Sequence, residues 1–222
     1  MGWAAYHTRH MTGLFDELAS LLARGGYVMF PLIVLSLVSG TLVIERTVFW
    51  VSVNGKASLR RIARLNRALR EGKRDTVEQL IDGDMTPYGR LARRMFTEGA
   101  SDAVAMEAIE DERHRLGRYM VALSTIITAA PLLGILGTVL GIIQSFELLG
   151  GKSTLTDPTA VAGGIAAALL TTAFGLVVAL VTLFPYMAFR GQVGHALGRI
   201  EAMVAAAQEG LGTSRPRGDE PC

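Results

Sequence analysis

Two long uncharged stretches, Met120–Phe146 and Pro158–Phe189, limit what this chain can fold into more than any other feature. Neither contains Lys, Arg, His, Asp or Glu, and each exceeds the roughly 20 residues that cross about 30 Å of hydrocarbon as a helix. A third apolar stretch, Tyr27–Ile44, is marginal by itself. Thr47-Val48-Phe49-Trp50-Val51 carries it past Glu45-Arg46, so three spans are expected over residues 27–51, 120–146 and 158–189. Half of the 222 residues are hydrophobic and 19% are charged, a balance that belongs with membrane proteins. The fold class expected is all-α: three transmembrane helices, the second and third long and extending into a cytoplasmic helical bundle.

Charge sets the orientation. Net charge is only +2, yet residues 52–119 hold 14 Lys/Arg, whereas residues 1–26 hold Arg9 and Arg24 and the loop 147–157 holds Lys152 alone. The positive-inside rule then predicts residues 1–26 outside, 52–119 in the cytoplasm, 147–157 outside, and a C-terminal segment 190–222 in the cytoplasm. Eleven acids interleave with those 14 bases, which argues against a nucleic-acid surface. No cleavable signal is apparent, so the first span is expected to act as an uncleaved anchor. Cys222 is the only cysteine and permits no intrachain disulfide; His7, His10, His114 and His195 lack metal-ligand spacing. No metal and no cofactor are expected.

Outside the spans the pattern is helical. Thr12–Ala23 reads as a short amphipathic helix lying on the outer membrane face. Leu59, Ile62, Leu65 and Leu69 form one apolar face amid arginines. Asp75–Ile81 and Arg90–Phe96 are short helices around breaks at Gly83, Pro87 and Gly89. Ser101 is a candidate N-cap for a helix over Asp102–Leu116, acidic early and basic late, expected to enter the second span without a linker. Residues 191–211 continue as a helix, and the Pro/Gly-rich end, 212–222, is expected to be disordered. Tyr27, Trp50, Tyr119 and Tyr186 fall near span ends, as interfacial anchors do.

The chemistry of the spans lies in their small and hydroxylated residues. Gly134, Gly137 and Gly141 make a ridge at steps of three and four, over which another helix backbone can approach closely. Thr138 and Ser145, seven apart, point the same way. In the third span Gly164, Ala168, Thr172, Gly175 and Ala179 share one narrow face. Pro131 frees a carbonyl one turn back that protein or water must satisfy. A membrane threonine most often bonds its own backbone, so helix packing alone is the plain reading of these residues.

Ala130–Phe146, APLLGILGTVLGIIQSF, resembles the second-span signature of the MotA/TolQ/ExbB proton channel family, and Ala168–Gly175, ALLTTAFG, resembles its third-span motif. Glu45-Arg46 followed by Trp50 is similar to the end of the first span in the ExbB/TolQ branch. Three spans favour that branch over the four-span MotA-like stators, although Thr171-Thr172 is also similar to MotA. The resemblance implies a homo-oligomer, a pentamer, enclosing an ExbD/TolR-like single-span partner and driving a TonB- or TolA-like periplasmic protein from the bacterial inner membrane, for outer-membrane transport or envelope maintenance. It implies that Thr138 and Thr172 line the ion path, with Thr171, Ser145 and Gln144 beside them, and that Glu45 and Arg46 mark the membrane edge. The glutamate that commonly precedes the ALL stretch is Ala167 here.

Moving a proton through hydrocarbon requires a titratable group or a water wire, and these spans offer hydroxyls, Gln144 and backbone. Any essential carboxylate is therefore expected from another chain. Two other classes are weighed. A non-conducting scaffold needs only the packing residues; an intramembrane enzyme needs a nucleophile with a base, paired aspartates or a metal set, none of which the spans contain, so no enzymatic activity is expected.

Overall fold

The computed structural model describes residues 26–150 and 158–212. The expected amphipathic helix at 12–23, most of the loop 147–157 and the end from 213 lie outside the described residues. Among those described, every regular element is a helix: α1 (Met29–Val53), α2 (Lys56–Arg70), α3 (Arg74–Ile81), α4 (Pro87–Glu98), α5 (Asp102–Leu116), α6 (Met120–Gly150) and α7 (Pro158–Gly212). Three of them are long and apolar enough to cross a membrane, with mean hydropathies of 1.8, 2.3 and 2.3 over their most apolar stretches. The chain belongs among all-α, multi-pass membrane proteins.

The chain divides into two compact units. Of the described residues, one comprises 26–43 with 121–150 and 158–186; the other comprises 44–120 with 187–212. In the first, Val28, Met29, Leu32, Ile126, Ala130 and Val178 form a buried core against which Leu133 and Phe174 pack. Phe30, Leu37, Leu132, Leu169 and Phe184 nevertheless point outward. Helices apolar on every side suit a lipid surround, where a surface needs no polar coat.

The second unit builds its core as amphipathic helices do in water. Ile62, Leu65, Ala68 and Leu69 of α2 are buried, as are Leu91, Ala92 and Met95 of α4 and Ile200, Met203 and Ala207 of α7. The α2–α3 connection is short because the helix ends in a Schellman motif. Gly72, at φ 65°, turns the chain while Gly72 N–H donates to Leu69 O and Lys73 N–H to Ala68 O. Thr86 Oγ1 accepts from Gly89 N–H and Ser101 Oγ from Val104 N–H, capping α4 and α5. The α4–α5 pair is then clasped by charge. Arg90 forks onto Glu112 at 2.8 and 2.6 Å, and Arg94 reaches Glu107 at 2.7 Å and Asp111 at 2.6 Å.

Two local expectations change. Helix α5 does not run directly into α6: Gly117–Tyr119 form a turn in which Tyr119 takes φ 66°, the one positive φ among the described non-glycine residues. The pattern of apolar residues is continuous there, and only the backbone conformation reveals the break. Helix α6 also extends to Gly150, four residues into the expected loop.

Candidate functional site

The glycine ridge of α6 meets α7 at a spacing that excludes side chains. A Cβ at Gly134 would lie 2.9 Å from Thr172 Cα, one at Gly141 2.6 Å from Ala168 Cβ, and one at Gly175 2.5 Å from Ala130 O. A Cβ at Gly137 would strike the Thr171 side chain, and one at Gly164 would lie 2.5 Å from Ser145 Oγ. Successive contacts pair 130 with 175, 134 with 172, 141 with 168 and 145 with 164, so the two helices run antiparallel. Along α6 the contact positions step by three and four, the period at which one helical face returns. In hydrocarbon, where apolar burial gives no driving force, such backbone proximity supplies dispersion and polar contact in its place.

Four hydroxyls lie along or beside this seam, and each proton is donated to a backbone carbonyl. Thr172 Oγ1 donates across to Gly134 O at 2.7 Å. Thr171 Oγ1 donates to Ala168 O at 2.7 Å within its own helix, with Gly134 O at 3.4 Å. Ser145 Oγ donates to Gly141 O at 2.8 Å, and Thr138 Oγ1 to Ile135 O at 2.6 Å. A hydroxyl has one proton and two lone pairs, so what these groups still offer is oxygen acceptors, suited to a cation or a water O–H. Their exposures differ. Thr171 and Ser145 are buried between the two helices, Thr138 and Thr172 are half-buried, and Gln144 is exposed. Gln144, Ser145, Gly141 and Ala167 border a cavity of about 170 Å³ whose wall Tyr27 and Val28 complete.

A further polar pair escaped the sequence reading. Ser39 Oγ and Thr182 Oγ1 are 2.5 Å apart and both buried, 4% and 1% exposed. Thr182 spends its proton on Val178 O at 2.7 Å, which makes Ser39 the donor to Thr182. The signal was present: Thr182 lies eleven residues after Thr171, three helical turns along the same face.

Arg46 is 2% exposed, while the Glu45 side chain beside it, 2.9 Å away, is 45% exposed. The guanidinium donates to Leu116 O, one of the carbonyls that the end of α5 leaves open, at 3.3 Å. It also lies 4.9 Å from the Phe49 ring centre and 5.2 Å from that of Tyr119. Arg46 thus braces the turn at 117–119, a tie between residues 70 apart in sequence.

These features define a multi-pass helical membrane protein with a close-packed, hydroxyl-bearing helix pair that is uncharged over residues 120–146 and 158–189. The family model described as the MotA/TolQ/ExbB proton channel family matches residues 85–202, more than half of the chain. Biopolymer transport protein ExbB-like 3 of Synechocystis sp. is 35% identical over 172 residues, 75% of this chain and 81% of the relative. The Tol-Pal system protein TolQ of Pseudomonas aeruginosa is 33% identical over 129 residues, 55% of each chain. ExbB of Salmonella typhimurium is 41% identical over 100 residues, covering 42% of this chain and 41% of that one. The chain belongs to the MotA/TolQ/ExbB family, in its ExbB/TolQ branch.

Proposed function

We propose that this chain is the multi-span subunit of an ExbB/TolQ-like, ion-driven motor in a bacterial inner membrane, with residues 1–26 outside and residues 52–119 and 190–222 in the cytoplasm. It works as a homo-oligomer, a pentamer, around an ExbD/TolR-like single-span partner that carries the titratable carboxylate. Movement of that partner is passed to a TonB- or TolA-like protein. The observation that carries this reading is the α6–α7 seam: backbone-to-backbone packing makes it a stiff wall, and it holds hydroxyl oxygens but no group that can take up and release a proton. Thr138 and Thr172, neither of them fully buried, are the oxygens proposed to face the ion path, with Gln144 beside them. Thr171 and Ser145 hold the wall together from inside.

The test is purification from native membranes in mild detergent, followed by native mass and proton flux in vesicles. The expected result is a homo-oligomer with a co-purifying single-span protein bearing a membrane aspartate, conducting only when both are present and losing flux when Thr138 and Thr172 are both replaced by Val. Conduction by this chain alone would refute the division of labour. A second reading, a non-conducting scaffold, draws on the four hydroxyl protons already donated to backbone. Full biological function of the Thr138→Val/Thr172→Val variant, with no measurable flux, would favour it.

A further inference from the structure

Several described charged residues of the second unit close no ion pair within the chain, and among them two sets on neighbouring helices carry opposite charge. On α2, Arg60, Arg64 and Arg67 are exposed and bridge to no acid; Arg67 only lends its field to Glu71, which Lys73 holds at 2.7 Å. Asp75 and Glu78 of α3, and Asp82 just past its last residue, are exposed and bridge to no base. At 100° per residue the three arginines fall within about 60° of one another around α2, and the three acids do so around α3 continued to its C-cap. Each set spans seven residue steps, about 10 Å at 1.5 Å per step. The steps are complementary: four then three along α2, three then four along α3. Laid antiparallel, Arg60 meets Asp82, Arg64 meets Glu78 and Arg67 meets Asp75.

We infer that the arginine face of α2 docks on the acidic face of α3 of a second copy of this chain. The direction is consistent with a ring. Helices α2 and α3 pack on each other across the Gly72 turn and so run oppositely within one chain. Rotation about an axis along the helices preserves that sense, so α2 of one copy lies antiparallel to α3 of the next. Two different faces meeting head to tail is the kind of contact that closes into a cyclic assembly. The three acids also rim an open cavity of about 800 Å³ with Ile81 and Phe96 in its wall, which gives the aliphatic stems of the arginines apolar surface to cover; Arg93, the one cation of that lining, is turned onto Ile81 O. Exposed pairs add little affinity and contribute mainly register and partner choice. The contact therefore orients neighbouring copies whose association depends on their membrane helices, and it rests on the homo-oligomer proposed above.

The experiment uses two differently tagged copies of the full chain, both Cys222→Ser, co-expressed in native membranes. One carries Arg64→Cys and the other Glu78→Cys. Arginine–carboxylate pairs hold backbones farther apart than a disulfide spans, so a short bismaleimide is the cross-linker. A heterotypic dimer is expected that is absent when Glu110→Cys replaces Glu78→Cys. It should be lost on adding Arg60→Glu and Arg67→Glu to the first copy. It should be regained when the second copy also carries Asp75→Arg and Asp82→Arg. An intact native oligomer with no such cross-link, or with equal cross-linking to position 110, overturns this contact alone. A monomeric wild-type chain overturns the homo-oligomer reading as well.

Discussion

Gly134→Ala is the most direct challenge to the seam. The added Cβ would lie 2.9 Å from Thr172 Cα and 3.1 Å from Thr171 O, both backbone atoms that no rotamer change can withdraw. Carbon atoms in contact rest about 3.5–4.0 Å apart, so the helices must separate by roughly 0.6–1 Å. Overpacking of this kind costs about 1–3 kcal/mol. The same separation stretches the 2.7 Å bond from Thr172 Oγ1 to Gly134 O, and an interhelical bond in a membrane is worth about 0.6 kcal/mol. Alanine returns up to about 1 kcal/mol of helix propensity. The net expectation is a loss of about 1–2.5 kcal/mol. Gly40→Ala in α1 is the matched control, because a Cβ there meets nothing within 4 Å and only the propensity gain remains. Unfolding in mixed micelles followed by circular dichroism should separate the two variants by about 2–3.5 kcal/mol, roughly 30- to 300-fold in the equilibrium constant. Equal stability of the two would refute the claim that α6 and α7 touch backbone to backbone at 134.

Thr182→Val strands the Ser39 hydroxyl and should cost about 1 kcal/mol, whereas Ser39→Ala with Thr182→Val should be nearly neutral. A thermal-melt double-mutant cycle without coupling would show that the two oxygens do not share a proton. Arg46→Met leaves Leu116 O unpaired and should cost about 1–3 kcal/mol, with faster amide exchange at residues 117–120 as its local signature. Glu112→Ala removes the buried partner of Arg90. The expected loss is about 2–3 kcal/mol, below the value for a fully buried pair because Arg90 keeps some contact with water. Hydrogen bonding and the charge of Lys73 hold the Glu71 carboxyl below its ordinary value. What it adds to stability is therefore present above the ordinary carboxylate range and lost only as pH falls through the lowered one. Lys73→Ala should move the Glu71 titration back up, as read by carbon-detected NMR.

The sequence alone determined the class of protein and the face on which its two longest apolar stretches meet. Uncharged stretches longer than a bilayer demand transmembrane helices, since backbone polar groups in hydrocarbon must be satisfied within the segment. Glycines stepping by three and four mark a close-contact face, because the helical period is local and legible in one dimension. The apolar face of α2 and the Ser101 cap were readable because they too are local. Tertiary structure alone decided which groups meet. The Thr172–Gly134 bond, the Ser39–Thr182 pair 143 residues apart and the grip of Arg46 on Leu116 O depend on register between helices, which no local pattern encodes. The left-handed Tyr119 was hidden likewise: a tyrosine carries no preference for that conformation, and only the packing around Arg46 shows why the chain breaks there. Local periodicity specifies faces; three-dimensional packing assigns each face its partner.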